Sequence, residues 1–207
     1  MANESNSNPD KYNLSFIGAD LALSGSIKIA DVYLQLKDWD AVKEEVYSEN
    51  ILQTRTKTTE QRIYGELSHR LQELSEQQVE LLVDGTLEEQ KQLLWFAICE
   101  RYSFVREFAV EVIHEKYLSL DYELTDFDFN AYFNRKADWH GELDEIKDST
   151  RKKLKEIIYR ILKQADLVSE DSMIIAPILS NRFVEIVAPD TPDTFRIFPI
   201  LISDIQR

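Results

Sequence analysis

Apolar residues recur every three or four positions along most of the chain, a period that predicts amphipathic helices. After a polar lead over residues 1–10, Ser24 or Ser26 is placed to cap a helix over 27–36. Asp38 is placed to cap the next, which opens with Trp39 and continues its stripe through Val42 and Val46. The polar stretch 53–59 reads as a turn. Thr58 and Gln61 have the form of a capping box ahead of Ile63, Leu67, Leu71 and Leu74, one apolar stripe at helical spacing. Ser75 with Gln78 and Thr86 with Glu89 repeat that signature around an Asp84-Gly85 turn. From 93 to 113 the pattern is apolar nearly all round, with Trp95, Phe96, Ile98, Phe104 and Phe108, and it breaks near 101–103, so these helices are expected at the centre. Thr125 with Asp128 precedes Phe129, Tyr132 and Phe133, and Asp148 or Ser149 precedes Leu154, Ile157, Ile158, Ile161 and Leu162.

The last forty residues differ. Met173-Ile174-Ile175 is a short β-prone run, Ser180 is placed to cap a brief helix ending near Val187, and 195–198 again reads as extended, which together predict a small two-stranded element. The expected fold is mainly α: a compact multi-helix domain with a helix-turn-helix-like N-terminal part and a small winged-helix-like C-terminal part. The expected division is a disordered lead over 1–10, a helical domain over 11–145 and a C-terminal helical or winged subdomain over 146–207.

Composition adds that the chain can carry its own core. At 207 residues it is 43% hydrophobic with only 5 Gly and 5 Pro, which excludes collagen-like and low-complexity classes. One cysteine, Cys99, forms no intrachain disulfide and fits a reducing compartment. No apolar run approaches the roughly 18 residues of a membrane span, and the first nine residues lack a secretory pattern, so a cytoplasmic protein with no membrane contact is expected. The formal charge of −14 excludes a protein that coats nucleic acid uniformly. The charge is uneven: −3 over 1–72, −12 over 73–146 and +1 over 147–207, which leaves both ends free to carry local positive faces.

Catalytic chemistry finds little support. The chain holds no Gly-rich phosphate loop, no G-x-S-x-G elbow, no H-E-x-x-H and no C-x-x-C. His69, His114 and His140 are far apart, and the acidic run 138–145 lacks the glycine and terminal glutamate of a calcium loop. Cys99 lies in an apolar helix where a small buried hydrophobe is the ordinary role, and His114 reads as a surface or satisfied histidine. No cofactor, no metal and no enzymatic activity are expected.

Two basic helices carry more information. In the first, the face opposite Ile63, Leu67 and Leu71 holds Arg62, Gly65, Glu66, His69 and Gln72, with Arg70 at its flank. Arg55 and Lys57 lie just before the expected cap, where a helix N-terminus itself favours anions. Preceded by two short helices, 58–74 reads as the reader helix of a helix-turn-helix. The second segment, 147–163, holds seven Lys and Arg for a net +5. It contains Arg151 and Lys153, and opposite its apolar stripe Lys152, Lys155, Tyr159 and Lys163, a tyrosine among lysines suited to phosphate and to sugar or base. Against this stand two plainer readings: a solvated charged face for the first helix, and for the second a basic helix docked on the acidic middle of the chain or on an acidic partner.

The sequence also resembles a known family. Tyr12-Asn13-Leu14-Ser15-Phe16-Ile17-Gly18-Ala19, Asp38-Trp39-Asp40-Ala41-Val42, and Glu49-Asn50-Ile51-Leu52-Gln53-Thr54-Arg55-Thr56 running into Thr58, Thr59 and Arg62 are similar to BrxA, the small A protein family of bacterial BREX (bacteriophage exclusion) defence systems. Leu94-Trp95, Arg101-Tyr102, Arg106-Glu107-Phe108 and Ser149-Thr150-Arg151-Lys152-Lys153-Leu154 resemble its later helices, so nearly the whole chain is covered. The resemblance implies a cytoplasmic, mainly α-helical, non-enzymatic protein acting beside a methyltransferase and other large components of the system. It implies double-stranded DNA as ligand, and a likeness to the RNA-binding antitermination protein NusB makes RNA the alternative. It places Arg55, Thr58, Thr59 and Arg62 in one shared block and supplies no catalytic residue. The competing expectation is an assembly module of the same system, anchored through surplus aromatics such as Tyr122, Phe127 and Phe129.

Overall fold

Short-range capping chemistry sets most helix starts. In the computed structural model, which describes residues 11–188 and 191–205, the chain enters through a 3-10 turn at Ser15–Gly18 and runs into α1 (Leu23–Leu36). The lead 1–10 lies outside the described residues. Neither serine caps α1: Ala22 precedes it in the left-handed region (φ 52°), which starts the helix at Leu23 and leaves Ser26 buried inside it. Asp38 Oδ1 accepts the Ala41 N–H at 2.8 Å and opens α2 (Trp39–Ser48). α3 (Lys57–Leu71) is capped by Thr56, whose hydroxyl oxygen accepts the Thr59 N–H at 3.2 Å, so Thr58 sits in the first turn and not at the cap. Complete capping boxes at Ser75/Gln78 and Thr86/Glu89 open α4 (Glu76–Asp84) and α5 (Leu87–Arg101).

The central apolar stretch breaks at Tyr102, as its pattern predicts, and resumes as α6 (Ser103–Phe108), a π-helical stretch Ala109–His114 and α7 (Glu115–Leu118). The Asp128 carboxylate accepts both the Thr125 N–H and hydroxyl at 2.7 Å where α8 (Asp126–Ala137) begins. A short turn, α9 (Gly141–Asp144), leads to α10 (Asp148–Gln164), which starts after Lys147 with Asp148 as its first residue and has no side-chain cap. Ser180 Oγ accepts the Phe183 N–H at 3.0 Å and opens α11 (Asn181–Val187).

The protein is mainly α-helical, and its apolar core runs from Tyr12 to Ile200, with α3, α5 and the α6–α7 rod at the centre. Trp95 Nε1 donates to Ile197 O at 2.9 Å and His114 Nδ1 contacts Phe198 O at the same distance, tying the C-terminal segment to that centre. That segment corrects two sequence expectations. Among the described residues there is no strand; Met173 and Ile174 make only isolated bridges, to Glu123 and Val168. Residues 195–197 are not extended, because Pro192–Ile197 form a 3-10 helix, and only Phe198 beyond it has an extended backbone. A wing strand shows alternate residues to solvent, whereas Phe195, Ile197 and Phe198 are all buried and need the tighter turn. No wing is formed. No helix among the described residues is long and apolar enough to cross a membrane.

Ion pairs around the rod give stability a defined pH window. Burial alone raises the Glu111 and Asp128 carboxyls, but hydrogen bonds from Lys136 and Arg135 to the first, and from Thr125 and Lys116 to the second, outweigh it and hold both below the usual range. Lys116 and Lys136 are lowered by burial but raised more by their carboxylate partners, to a net rise. A depressed carboxyl stabilises the fold fully above its unfolded pKa, about 4, and the gain is lost as pH falls through the folded value; a raised lysine stabilises below about 10.4 and the gain is lost as pH rises through its folded value. The urea midpoint is therefore expected to be level near neutrality and to fall below about pH 4 and above about pH 10.4, and Glu111→Gln to soften the acid limb. Equal acid limbs for the variant and the parent protein contradict the assignment.

Candidate nucleic-acid interface

The apolar stripe of α10 is buried as its spacing predicts, Leu154, Ile157, Ile158, Ile161 and Leu162 packing toward α5 and the Ser15–Gly18 turn. Its polar side is divided differently. Of the four residues expected opposite the stripe, only Lys152 stands clear, its side chain 71% exposed. Lys155 is ion-paired with Asp126 at 2.6 Å and largely covered, and Lys163 pairs with Glu170 at 3.2 Å. The Tyr159 hydroxyl donates to Thr125 O at 2.5 Å while its ring lies 6.3 Å from that of Phe108, so it is not free to stack on a base. The start of α8 lies along this flank, an arrangement that the periodicity of α10 does not reveal. The outward face turns instead toward Lys153 and Arg160, both exposed.

On α3, residues Arg55, Lys57, Thr58 and Thr59 are exposed around the amino end, with Thr59 Oγ1 engaged by the Thr56 hydroxyl at 2.9 Å. Arg62 and His69 are exposed on the outer face, and Arg62 Nη1 donates to Gly18 O at 2.5 Å. Arg70 is a correction: it is 2% exposed and cannot reach a ligand. Its Nε donates to Glu66 Oε1 at 2.9 Å, and its two terminal nitrogens donate to Asp20 O at 2.6 Å and Ala19 O at 3.0 Å. Glu66, also expected outside, is buried beneath the entering chain, and the Tyr102 hydroxyl donates to its Oε1 at 2.5 Å. Residues 49–56 separate α2 from α3, longer than the three or four residues of a helix-turn-helix turn. With α1, α5 and the entering chain all packed on it, α3 presents one narrow outer stripe in place of a free reader face.

The Ser15–Gly18 turn packs against both α3 and α10 and brings their cations together. Arg62 from one side and Lys153 and Arg160 from the other line a single groove of about 660 Å³, with Ile63, Ile157 and Asp20. Among the described residues Lys153 and Arg160 make no ion pair. The one acid lining it, Asp20, accepts from the Gln164 amide and the Ala22 N–H, both at 3.0 Å, which orients its carboxylate without cancelling its charge. Arg160 is the residue the sequence reading missed; its position seven after Lys153, two turns along the same helical face, was the available signal.

Away from the groove, Cys99, His114 and His140 are each buried or held by neighbours. Cys99 is fully buried, and burial pushes its thiol well up. His114 is buried against Phe198 O, and His140 stacks on Tyr12 at 4.0 Å, 3.4 Å from Glu142, whose carboxylate accepts the Tyr12 N–H at 2.9 Å. Of the aromatics expected as anchors, Phe129 is core, Tyr122 is half-buried and Phe127 is 77% exposed.

Comparison with known proteins follows the same outline. The family model BrxA matches residues 10–189. The BREX protein BrxA of Bacillus cereus (strain H3081.97) is 32% identical over 124 residues, a match that takes in 60% of this chain and 62% of that one. The BREX protein BrxA of Escherichia coli O9:H4 (strain HS) is 26% identical over 152 residues, 73% of this chain and 71% of that one. A crystal structure of an uncharacterized protein from Magnetospirillum magneticum shares the fold, with a TM-score of 0.79 at 19% identity over 92% of this chain and 100% of that one. With a family model covering most of its length, the chain belongs to the BrxA family.

Proposed function

We propose that this chain is a non-catalytic, cytoplasmic DNA-binding accessory protein of a BREX phage-defence system, working beside the system's other components. The observation that carries the reading is the convergence of Arg62 with Lys153 and Arg160 in one groove, on a chain whose net charge is −14. Local cations with no acidic partner suit phosphodiester, and family membership supplies the context of phage defence. The acidic middle of the chain opposes approach and keeps affinity modest.

Three phosphate contacts give a log–log salt slope of about −2.7, so affinity for a duplex is expected to fall about 40-fold between 50 and 200 mM salt. Replacing Arg62, Lys153 and Arg160 together by Ala is expected to flatten that slope and remove most binding, read by fluorescence anisotropy of a labelled duplex. Undetectable binding at 50 mM salt, or binding indifferent to the triple change, removes DNA from the account. RNA competes for the same cations, and tighter binding of a matched RNA would make it the ligand.

A second reading, an assembly module, is favoured by Phe127 at 77% and Trp139 at 86% exposure. It expects a BREX component to stay bound after nuclease treatment and in high salt, where phosphate-mediated association is lost.

A further inference from the structure

Resting on the DNA reading above, we infer that α10 is the element that enters the major groove of duplex DNA, with a second phosphate-binding flank formed against α8 on the side away from Arg62.

α10 is bordered by three grooves, of which one, of about 660 Å³ and bordered by Asp126, Glu156 and Glu170, is acidic, and two hold cations outside ion pairs. On one side is the groove of Arg62, Lys153 and Arg160. On the other, a groove of about 460 Å³ runs between α8 and α10, lined by Asn130, Asn134, Asp148, Arg151, Lys152 and Lys155. At 100° per residue, Lys153 and Arg160 fall on one flank of the helix, Lys155 on the other with half-buried Arg151 beyond it at the margin of the apolar stripe, and Ser149, Lys152 and Glu156 on the crest between them.

Arg151 is held ready on its flank. Its guanidinium lies 4.4 Å from the Phe133 ring centroid and one Nη donates to Asn130 O at 3.1 Å, while its shielded Nε–H has no acceptor. Among the described residues it pairs with no carboxylate. A guanidinium fixed by stacking and by one carbonyl, and paired with no carboxylate, keeps its charge available to an anionic oxygen at its terminal nitrogens. Lys155 on the same flank is neutralised by Asp126, so Arg151 supplies the charge there beside Asp148, Asn130 and Asn134, with Lys152 at the edge of the crest.

The dimensions select a duplex. A helix with its side chains is roughly 10–12 Å across and the major groove about 12 Å wide, walled on either side by the phosphates of opposite strands. Cations on both flanks then face one strand each, while the crest faces base edges. There Lys152 and Glu156 are 3.9 Å apart, side chains 71% and 51% exposed, a loose pair free to turn to guanine O6/N7 and cytosine N4. α3 offers no such ridge, because Arg70 and Glu66 on its far flank are buried.

The test is phosphate-ethylation interference on a duplex of about 20 base pairs with the full chain, beside Arg160→Ala, Arg151→Ala and Lys152→Glu. Interfering phosphates are expected on both strands, facing each other across one major groove. Arg160→Ala is expected to erase the set on one strand and Arg151→Ala the set on the other, each weakening binding about tenfold. Lys152→Glu, at a solvent-exposed position that leaves the core untouched, is expected to weaken binding at least as much. If Arg151→Ala and Lys152→Glu leave affinity and pattern unchanged while Arg160→Ala weakens both, the ridge is wrong and the DNA reading stands. Interference confined to one strand, or tighter binding to single strands, likewise overturns the ridge. Absence of any duplex binding by the parent chain overturns the DNA reading itself.

Discussion

Replacing Arg70 by alanine is expected to destabilise the fold by about 3–5 kcal/mol, because it leaves a buried carboxylate without its counter-charge. Arg70 and Glu66 face each other four residues apart on α3, 2.8 Å between charged atoms, with side chains only 2% and 8% exposed. Arg70 is also the donor to Ala19 O and Asp20 O, so its loss orphans two carbonyls of the entering chain. Each unmade buried hydrogen bond adds about 1–3 kcal/mol, within that total. With an unfolding slope of about 2 kcal/mol per molar urea, the midpoint is expected to fall by roughly 1.5–2.5 M. Removing both charges, Glu66→Gln with Arg70→Met, is expected to recover much of the loss, since a buried pair stabilises little relative to an apolar replacement even though breaking it is costly. The same variant tests the link to function. Ala19 and Asp20 lie on the wall of the groove, so Arg70→Ala is expected to weaken DNA binding without Arg70 ever touching a phosphate. A urea midpoint within about 0.5 M of the parent, equivalent to about 1 kcal/mol at that slope, shows that solvent or another donor has replaced the arginine.

The features legible in the sequence were those whose cause is local. Asp38, Ser75, Thr86 and Ser180 cap where they were expected to, because a cap depends on residues two or three apart. The apolar stripes of α3 and α10 were legible for the same reason. What periodicity does not contain is which element comes to lie on a polar flank. Arg70 sits on the polar side of its helix and is buried by a chain segment fifty residues away. Tyr159 and Lys155 are covered by the start of α8, thirty-four and twenty-nine residues earlier. Arg160 gained its meaning only when the Ser15–Gly18 turn drew α3 and α10 together. The C-terminal misreading has the same root: Met173-Ile174-Ile175 has strand propensity, but a strand needs a continuous neighbour and the fold supplies only isolated bridges.

The second large effect is expected at Phe104, where the entering chain meets the central rod. The ring is fully buried, with those of Tyr132 at 5.1 Å, Tyr12 at 5.2 Å, Phe133 at 6.2 Å and Phe16 at 6.4 Å around it. Phe104→Ala removes the ring on which two separate layers converge, α8 from one side and residues 12–16 from the other, and is expected to lower stability by about 3–5 kcal/mol. Phe104→Leu fills most of the space and is expected to cost less than half as much. The loss is not uniform. Tyr12 keeps its hydroxyl bond to Glu107 at 2.6 Å and Tyr132 its bond to Phe104 O at 2.7 Å, so the polar contacts survive while the apolar packing of the entering chain does not. Amide exchange is therefore expected to accelerate first at Ile17 and Ala19, whose N–H groups close the Ser15–Gly18 turn on Leu14 O and Phe16 O, well before global unfolding. That turn supports Arg62 through Gly18 O and packs against both α3 and α10, so duplex affinity is expected to fall at salt and urea concentrations where the helices are intact. If exchange instead rises equally throughout the protein while affinity of the folded fraction is unchanged, the turn is not what holds the two cationic helices in register, and Arg62 meets Lys153 and Arg160 only through the packing of α3 and α10 on α5.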